Sequence, residues 1–245
     1  MELHGKCALV TGGGRRIGAA LARTLHADGM NLIVHYRGSA DGARVLQQEL
    51  EASRPDSVHI VQADLLDTAA LAPLVEAAAA RWGRLDVLVN NASTFYPTAV
   101  GEITLEHWED LMGTNLRAPL FLSQAAAPYL REQRGCIVNM ADIHAERPLK
   151  AHPVYCSAKA GLVMLTRSLA RELGPEVRVN AIAPGAILWP EDMGDSMREK
   201  ILARVPMKRA GEPDDIVRAI RFLIAEADYI TGQILPVDGG RSLSY

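Results

Sequence analysis

The chain has 245 residues, of which 49% are hydrophobic and 22% are charged, and its 26 Lys and Arg side chains nearly balance its 29 Asp and Glu side chains. This composition excludes a disordered protein and allows one globular domain. No basic block is dense enough to follow a nucleic acid or an anionic membrane, and no apolar run approaches the roughly 18 residues of a membrane-spanning helix. The N-terminus also lacks the apolar core of a signal peptide, so the sequence predicts a soluble cytoplasmic protein.

The cysteine and histidine residues are arranged neither as a disulfide framework nor as a metal site. Cys7, Cys136 and Cys156 are odd in number, and no two of them have C-x-x-C spacing. His144 and His152 also lack the spacing of metal ligands. We therefore expect reduced thiols and no bound metal.

Short apolar runs rich in β-branched residues alternate along the chain with longer stretches of helical periodicity. This alternation predicts a single-domain Rossmann-type α/β fold, a doubly wound parallel sheet of about seven strands flanked by helices. Strands are predicted at residues 7–10, 31–35, 58–61, 87–89, 136–139, 177–182 and 234–237. Helices are predicted from 17 to 28, before Gly29, and from 67 to 82, between an N-cap at Asp67 and a terminating Gly83.

No linker, internal repeat or change of composition divides the sequence. We therefore predict one dinucleotide-binding and catalytic domain over residues 1–245. The periodicity weakens between residues 187 and 209, and a stretch of that length without regular structure is usually functional or mobile. We predict a lid over the substrate there, with a loop packed for subunit contact as the alternative.

The segment after the first predicted strand, from Thr11 to Gly18, has the composition of a phosphate-binding turn. Its glycines let the backbone approach a pyrophosphate, and the helix that follows presents unpaired N–H groups to the phosphates. Two arginines add fork-shaped donors for phosphate oxygens. The order of strand, turn and helix predicts a dinucleotide cofactor bound by Gly12, Arg15, Arg16, Ile17 and Gly18.

The end of the second predicted strand indicates which dinucleotide is bound. An acid at this position would accept hydrogen bonds from the ribose hydroxyls of NAD, whereas this chain has His35, Tyr36, Arg37 and Ser39. An arginine beside a hydroxyl group suits a 2′-phosphate, so we predict NADPH rather than NADH. An ordinary solvated residue is the alternative for Arg37.

Two more strand ends are candidates for contacts with the cofactor, since open α/β sheets bind ligands beyond the carboxyl ends of their strands. Asp64 and Leu65 follow the third strand, where they can hydrogen-bond an adenine amino group. Asn91, Ala92 and Ser93 follow the fourth strand. A turn formed by asparagines is the alternative for this last segment.

Tyr155 and Lys159 are spaced to lie on one face of a helix, where a phenol and an ammonium group can cooperate. A phenol with a pKa of about 10 is a poor proton donor at neutral pH. Because a nearby cation favours its phenolate form, the pair is a candidate general acid in which Lys159 lowers the pKa of Tyr155.

Together, these motifs resemble the short-chain dehydrogenase/reductase family over essentially the whole chain. Four motifs carry the resemblance: Thr11 to Gly18, Asn90-Asn91-Ala92, Tyr155 to Lys159, and Pro184-Gly185. The resemblance implies further cofactor contacts from Met140, Pro184 and Gly185. It also implies a homotetramer, because the C-terminal segment of family members commonly packs at a subunit interface.

The catalytic roles come from the same resemblance. It implies that Tyr155 donates the proton and that Lys159, besides lowering the pKa of the phenol, binds the nicotinamide ribose. Asn115 falls where the family has an asparagine that helps to hold a water chain to the lysine.

One residue departs from the common family pattern. Thirteen residues before the tyrosine the family usually has a serine that steadies a substrate carbonyl, and here the residue is Asp142. A carboxylate repels a developing alkoxide, but it suits a substrate that gains a proton on nitrogen. With this acid the chain resembles the pteridine reductase branch, which reduces pterins and folates with NADPH. The alternative is that Asp142 only caps or turns the chain.

This resemblance implies a site for a flat, electron-poor pteridine ring. Phe95 would stack the pterin against the nicotinamide, Arg15 would reach the pterin and a cofactor phosphate, and Ser93 would hydrogen-bond both. Trp189, in the predicted lid, is a further candidate contact. A place in the core is the alternative for Phe95, and simple packing is the alternative for Trp189.

The predicted function is the NADPH-dependent reduction of a small-molecule pterin or folate, such as dihydrobiopterin or dihydrofolate, with the oxidised forms as further candidates. Asp142, Tyr155 and Lys159 would deliver a proton to a ring nitrogen as hydride reaches the adjacent carbon. Two alternatives stay open. One is a carbonyl reductase of ketones, sugars or 3-oxoacyl thioesters, and the other is a non-catalytic NADP-sensing protein.

Overall fold

The computed structural model describes residues 1–189 and 193–243 of the protein. Its strands are β1 (Cys7–Val10), β2 (Asn31–Tyr36), β3 (Val58–Gln62), β4 (Val87–Asn90), β5 (Cys136–Met140), β6 (Arg178–Pro184) and β7 (Ile234–Val237). In the described ranges they form one parallel sheet of seven strands in the order β3-β2-β1-β4-β5-β6-β7. The predicted Rossmann-type α/β fold is confirmed, and every predicted strand lies within about two residues of its observed bounds.

Helices cover both faces of this sheet. They are α1 (Arg16–Ala27), α2 (Ala40–Glu51), α3 (Thr68–Trp82), α4 (Leu105–Met112), α5 (Ala118–Gln133), α6 (Pro153–Leu173), α7 (Asp195–Ala203) and α8 (Pro213–Ala225). A π-helical turn (Gly113–Arg117) joins α4 to α5, and a 3-10 turn (Ile143–Ala145) follows β5. Helices α1, α2 and α8 contribute to the apolar core on one face of the sheet, and α3, α5 and α6 contribute to the core on the other face.

The ends of the two helices predicted from the sequence have clear local causes. The Asp67 side chain accepts a hydrogen bond from the N–H of Ala69 at 3.0 Å, which caps α3. Gly83 ends the same helix with a φ of +69°, a conformation that glycine adopts without strain. Gly29, just after α1, has a φ of +92°. The predicted N-cap and both terminating glycines are therefore confirmed.

The strand order fixes the place of a ligand site. The chain runs outward from β1 through β2 to β3, then returns to the other side of β1 with β4 and continues to β7. The connections that leave β1 and β4 therefore run to opposite sides of the sheet centre, and a crevice lies at this point on the carboxyl edge. The segments after all of the first six strands were predicted to hold cofactor or catalytic residues, and parallel pairing brings these segments to this one edge.

The predicted lid differs from the structure in one respect. Part of the 187–209 segment is a regular helix, α7, and none of its described residues is buried. Because α7 has no buried face, no apolar stripe marked it in the sequence. Residues 190–192 of the predicted lid lie outside the described residues, and the closing movement of this segment stays a prediction.

Three further expectations concern the cysteines, a metal site and membrane-spanning helices. Cys7, Cys136 and Cys156 are buried thiols that form no disulfide with one another. Within the described ranges, no three His, Cys, Asp or Glu side chains are grouped so that they could hold a metal ion. No helix among the same residues has the length and apolarity needed to cross a membrane.

Candidate active site

A cleft of about 630 Å³ opens at the carboxyl edge of the sheet. Every residue predicted to bind the cofactor lines it: Gly12, Arg15, Arg16, Ile17, Gly18, His35, Tyr36, Arg37, Ser39, Asp64, Leu65, Asn91, Ala92, Ser93, Met140, Pro184 and Gly185. The predicted substrate and catalytic residues Phe95, Asp142, Tyr155 and Lys159 line the same cleft. Asn115 and Trp189 are the predicted site residues that are absent from its described wall.

The floor of the cleft beside β1 is a turn that needs glycine at two positions. Gly12 has a φ of +61°, and a Cβ on it would lie 3.0 Å from the Cα of Ala92. A Cβ on Gly18 would collide with the carbonyl oxygen of Gly12. Arg16 has a φ of +52°, in the left-handed region where side chains other than glycine are strained, so its backbone is held by the turn around it.

Hydrogen bonds between the ends of β1 and β4 hold this turn in place. The Thr11 hydroxyl accepts the N–H of Asn91 at 2.9 Å and the N–H of Ala92 at 3.0 Å. The Asn91 side-chain amide donates to the carbonyl oxygen of Thr11 at 2.8 Å. Asn91 therefore acts here as a residue that orders the turn, which was the alternative offered by its sequence, while it also lines the cleft.

His35 lines the cleft, but both of its ring nitrogens form hydrogen bonds within the protein. Its Nδ1 accepts the N–H of Gly12 at 3.2 Å, and its Nε2 donates to the carbonyl oxygen of Ala63 at 3.1 Å. These partners require the neutral ring with hydrogen on Nε2. Burial lowers the pKa of His35, which favours the same neutral form. The ring therefore positions the glycine turn, and its predicted contact with cofactor stays a prediction.

Arg37 lies at the end of the cleft beside β2 and is surrounded by acids. Its Nη1 lies 4.0 Å from Asp64 Oδ1 and 3.9 Å from Asp110 Oδ1. These are ion-pair distances but not hydrogen-bond distances. The guanidinium is 54% exposed, so its donors can reach a phosphate in the cleft.

Thr114, in the π-helical turn, is a cleft residue that the sequence did not predict. It is 6% exposed, and its hydroxyl has no hydrogen-bond partner among the described residues. A buried hydroxyl without a partner is costly, so one that lines a cleft favours a polar ligand. Together with the glycine turn, the helix N-terminus and the arginines, this hydroxyl makes the cleft fit a dinucleotide phosphate ester.

The catalytic end of the cleft is built around Asp142 and Tyr155. The Tyr155 hydroxyl donates to Asp142 Oδ2 at 2.7 Å, and Asp142 Oδ1 accepts the N–H of His144 at 2.8 Å. The second contact caps the 3-10 turn after β5. Asp142 is therefore both a cap, as its alternative interpretation held, and an acid in direct contact with the phenol.

This contact corrects the expected effect of Lys159 on the tyrosine. Burial, reinforced by the Asp142 carboxylate, raises the pKa of Tyr155 well above its ordinary value. Lys159 Nζ lies over the phenol ring, 5.6 Å from its centroid, whereas the carboxylate touches the hydroxyl itself. Burial and this carboxylate act in the same direction, so the lowered pKa predicted for Tyr155 is wrong for this structure, and the phenol holds its proton.

Lys159 lies beside the same pair and is almost completely buried. It is 2% exposed, and its Nζ donates to the carbonyl oxygen of Met140 at 2.8 Å. Burial lowers its pKa to about 8, and the Asp142 carboxylate opposes this shift only in part. The charge of Lys159 is therefore lost at a much lower pH than that of an ordinary lysine.

Asn115 lies behind the wall of the cleft rather than in it. Its side-chain amide donates to the carbonyl oxygens of Thr94 at 3.0 Å and Leu111 at 2.9 Å, and its oxygen accepts the hydroxyl of Ser93 at 2.7 Å. Asn115 is 1% exposed, so its side chain is buried among these partners. Its side chain therefore holds the loop that carries Ser93 and Thr94, and the water-mediated link to Lys159 that the resemblance implies stays a prediction.

Phe95 projects into the cleft and is half exposed. Its ring meets the Tyr155 ring edge to face at 4.8 Å and stacks on His152 at 4.7 Å, with an angle of 14° between the planes. A place in the core, the alternative offered for Phe95, is excluded by this exposure. The contacts with His152 and Tyr155 hold the ring in place, and its exposed part presents an aromatic surface beside the phenol.

Comparisons with known proteins agree with this geometry. A family model described as enoyl-(acyl carrier protein) reductase matches residues 13–242. Pteridine reductase 1 of Leishmania tarentolae is 39% identical over 280 residues, covering 97% of this chain and 96% of that protein. The 3-oxoacyl-(acyl-carrier-protein) reductase FabG of Staphylococcus aureus strain Mu50 is 35% identical over 240 residues, covering 96% and 97%.

A solved structure is similar over nearly its whole length. It is the crystal structure of a blue fluorescent protein from a metagenomic library in complex with NADPH, which superposes with a TM-score of 0.92 at 38% identity, covering 98% of this chain and 99% of that one. The chain belongs to the short-chain dehydrogenase/reductase family. Membership confirms the family that the motifs resembled, but the relatives of this short-chain dehydrogenase/reductase include both pteridine and 3-oxoacyl reductases.

Several residues that line the cleft of this short-chain dehydrogenase/reductase were not predicted from the sequence. They are Gly38, Thr94, Thr114 and Ala141, whereas the wall residues Ile187 and Leu188 belong to the segment predicted as a lid. Most are chain neighbours of predicted residues, and that adjacency is the signal that could have found them. Leu188, and not Trp189, lines the described part of the cleft, so the substrate contact of Trp189 is not supported and stays a prediction.

Proposed function

We propose that this protein is a pteridine reductase, an oxidoreductase that uses NADPH to reduce a ring C=N bond of a pterin or folate. The observation that carries the proposal is the carboxylate of Asp142, which lies in the cleft 2.7 Å from the hydroxyl of Tyr155. The 39% identity with pteridine reductase 1 of Leishmania tarentolae supports it.

The sign of the charge at the catalytic end favours this substrate class. Reduction of a carbonyl places negative charge on oxygen, which a carboxylate beside the proton donor opposes. A ring nitrogen is more basic than a carbonyl oxygen, so it can take up its proton before the hydride arrives, and a carboxylate stabilises the positively charged form that results. Asp142 also offers an acceptor for the N–H and amino groups on the edge of a pteridine, which a ketone lacks.

The proton comes from the Tyr155 and Asp142 pair. NADPH bound in the cleft would supply the hydride for the ring carbon and would be oxidised to NADP⁺. Tyr155 holds its proton on the hydroxyl, because burial and Asp142 raise its pKa, and it gives that proton to the adjacent ring nitrogen. The ammonium of Lys159 lies under the phenol ring and offsets the charge that remains on the pair after transfer.

Other cleft residues would bind and orient the two rings. Phe95, fixed against His152 and Tyr155, provides the aromatic surface for the pteridine. Ser93 and Arg15 line the same cleft, and each would contact the pteridine and a phosphate of the cofactor. Arg16, Arg37 and Thr114 would bind the phosphates and adenosine of NADPH. Orientation of this kind is a large part of catalysis in two-substrate reactions.

An assay with purified enzyme tests the proposal. Loss of nicotinamide absorbance is followed with NADPH and dihydrobiopterin or dihydrofolate, and then with NADPH and a panel of ketones, sugars and a 3-oxoacyl thioester. We expect turnover of the pterins. Turnover of carbonyl compounds alone would contradict the proposal, and tight NADPH binding without any turnover would favour a sensor of NADP.

A 3-oxoacyl reductase is the second candidate, because the Staphylococcus aureus FabG reductase is 35% identical over 96% of this chain. The Asp142 carboxylate disfavours this activity, because it opposes the negative charge that a carbonyl oxygen gains on reduction. The homotetramer implied by the resemblance and the lid at 187–209 remain predictions, which the mass of the protein in solution and proteolysis with and without NADPH would test.

A further inference from the structure

An acid beside Arg37, at the cofactor end of the cleft, has no role in the proposed reaction. Asp110, on α4, is 21% exposed and presents its two carboxylate oxygens to two different partners. Its Oδ2 accepts the hydroxyl of Tyr96 at 3.0 Å, and its Oδ1 lies 3.9 Å from Nη1 of Arg37. A second acid, Asp64, lies 4.0 Å from the same nitrogen.

This arrangement places two negative charges beside the arginine that would bind a 2′-phosphate. Arg37 balances both only loosely, since neither acid is within hydrogen-bond distance. A phosphate that enters beside Arg37 therefore gains from the guanidinium but is repelled by the carboxylates. Asp110 is the less exposed of the two acids, so its charge is screened less by solvent.

Tyr96 fixes the position from which Asp110 acts. The tyrosine ring packs with the buried Leu111 and Val154, next to Tyr155. The ring also meets His107 edge to face at 5.7 Å. Because the ring is held on these sides, the hydroxyl keeps one oxygen of Asp110 turned away from Arg37. Without that hydrogen bond, the carboxylate would be free to close on the guanidinium.

We propose that Asp110 is a specificity-determining residue, whose carboxylate, held by Tyr96 beside Arg37, sets how strongly the cleft prefers a dinucleotide with a 2′-phosphate over one without. The proposal rests on the 2′-phosphate role that the proposed function gives to Arg37. It adds that the preference is limited by acids of the protein itself, and that removing one of them increases it.

The test measures dissociation constants of NADPH and NADH for the purified enzyme, and the preference is the ratio of the NADH constant to the NADPH constant. We expect Asp110→Asn to increase the ratio by about three- to tenfold, through tighter NADPH binding. Tyr96→Phe should decrease the ratio, because the released carboxylate then competes with the phosphate for Arg37. Opposite signs from two neighbouring variants are not expected from general loss of structure.

A matched control removes a charge of the same sign from the same helix. Glu109 precedes Asp110 and pairs with Arg117 at 2.9 Å, whereas the ion pairs of Arg37 are with Asp64 and Asp110. Glu109→Gln should leave the ratio unchanged, and an increase equal to that of Asp110→Asn would overturn the proposal, since the effect would then be one of net charge.

A further variant separates this proposal from the function on which it rests. Arg37→Ala should bring the ratio close to one, and in that background Asp110→Asn should have no further effect. If Arg37→Ala removes the preference but Asp110→Asn in the unaltered background does not increase it, Asp110 is not a determinant and only this proposal is overturned. If Arg37→Ala leaves the preference intact, the role of Arg37 is wrong and both ideas fall.

Discussion

The two ends of the cleft are built in different ways. At the cofactor end the shape comes from backbone, because Gly12 and Gly18 let two chain segments approach and Thr11 and Asn91 join them. At the catalytic end the proposed chemistry depends on one pair of side chains, Asp142 and Tyr155. On the proposed function, the backbone determines which cofactor binds, and a single acid determines the substrate class.

This difference has a consequence for substitutions. Contacts at the cofactor end are many and individually weak, so a single loss there should change affinity by a small factor. Contacts at the catalytic end are few and act on the reacting atoms, so a single loss there should change the rate by orders of magnitude or change the preferred substrate.

Tyr155→Phe should give the largest effect. It removes the hydroxyl that donates to Asp142 and would supply the proton. We expect turnover of dihydrobiopterin to fall by about 10²- to 10⁴-fold, the usual contribution of general acid catalysis. The NADPH dissociation constant, measured by nicotinamide fluorescence, should change little. Turnover within tenfold of the unaltered enzyme would show that the proton comes from another group.

Asp142→Ser should have the next largest effect and also change the substrate preference. It replaces the carboxylate with the hydroxyl that the family usually has. Turnover of pterins should fall by about 10- to 100-fold, the range for a hydrogen bond to a charged group, and reduction of a 3-oxoacyl thioester should increase.

Asp142→Asn is the matched control for the capping role of this residue. Its side-chain oxygen can still accept the N–H of His144, so the turn after β5 keeps its cap while the charge is lost. If Asp142 acts through its charge, the Asn variant should lose pterin activity and keep its melting temperature. Full activity in this variant would make Asp142 a structural residue and remove the main support for a pterin substrate.

The pH dependence of pterin reduction should follow the loss of charge on Lys159. Burial lowers its pKa to about 8, so the ammonium is present below that pH and is lost as the pH rises through it. We expect kcat/KM for pterin reduction to fall about tenfold per unit above pH 8, one proton being lost. Tyr155 cannot cause this loss, because its own pKa is raised well above the ordinary value.

The variant Lys159→Arg sharpens this assignment. Arginine keeps its charge throughout this range, so whatever activity remains should show no fall near pH 8. A fall at the same pH in the variant would assign the titration to another group.

Much of the cofactor end could be predicted from the sequence, because its features are local in the chain. The apolar runs marked the strands, and the glycines and Pro184-Gly185 stood directly after them. The spacing of Tyr155 and Lys159 was equally local, since both lie on α6. Features of this kind depend on residues within a few positions of one another, which a sequence shows directly.

Other features could not be predicted, because they depend on distant contacts. The raised pKa of Tyr155 follows from burial and from a carboxylate that reaches it from the turn after β5. The direction of the Thr114 hydroxyl follows from a π-helical turn, which departs from the helical period that sequence patterns show. Helix α7 buries none of its described residues, so it had no apolar stripe to detect.

The smallest predicted effect belongs to Thr114 and tests the cofactor end alone. Thr114→Val keeps the shape of the side chain but removes the buried hydroxyl that lines the cleft. If the hydroxyl binds NADPH, the dissociation constant should increase by about two- to tenfold, the value of one ordinary hydrogen bond. Turnover at saturating NADPH should stay nearly unchanged, because the hydroxyl does not act on the reacting atoms.

Thr98 provides a closely matched control for this last substitution. Its hydroxyl is also buried and has no hydrogen-bond partner among the described residues, but the residue does not line the described cleft. Thr98→Val removes the same atom from a similar environment, so NADPH binding should not change. Equal weakening in both variants would mean that loss of a buried hydroxyl acts through the fold, and the cofactor end would then be held by fewer side-chain contacts than the cleft suggests.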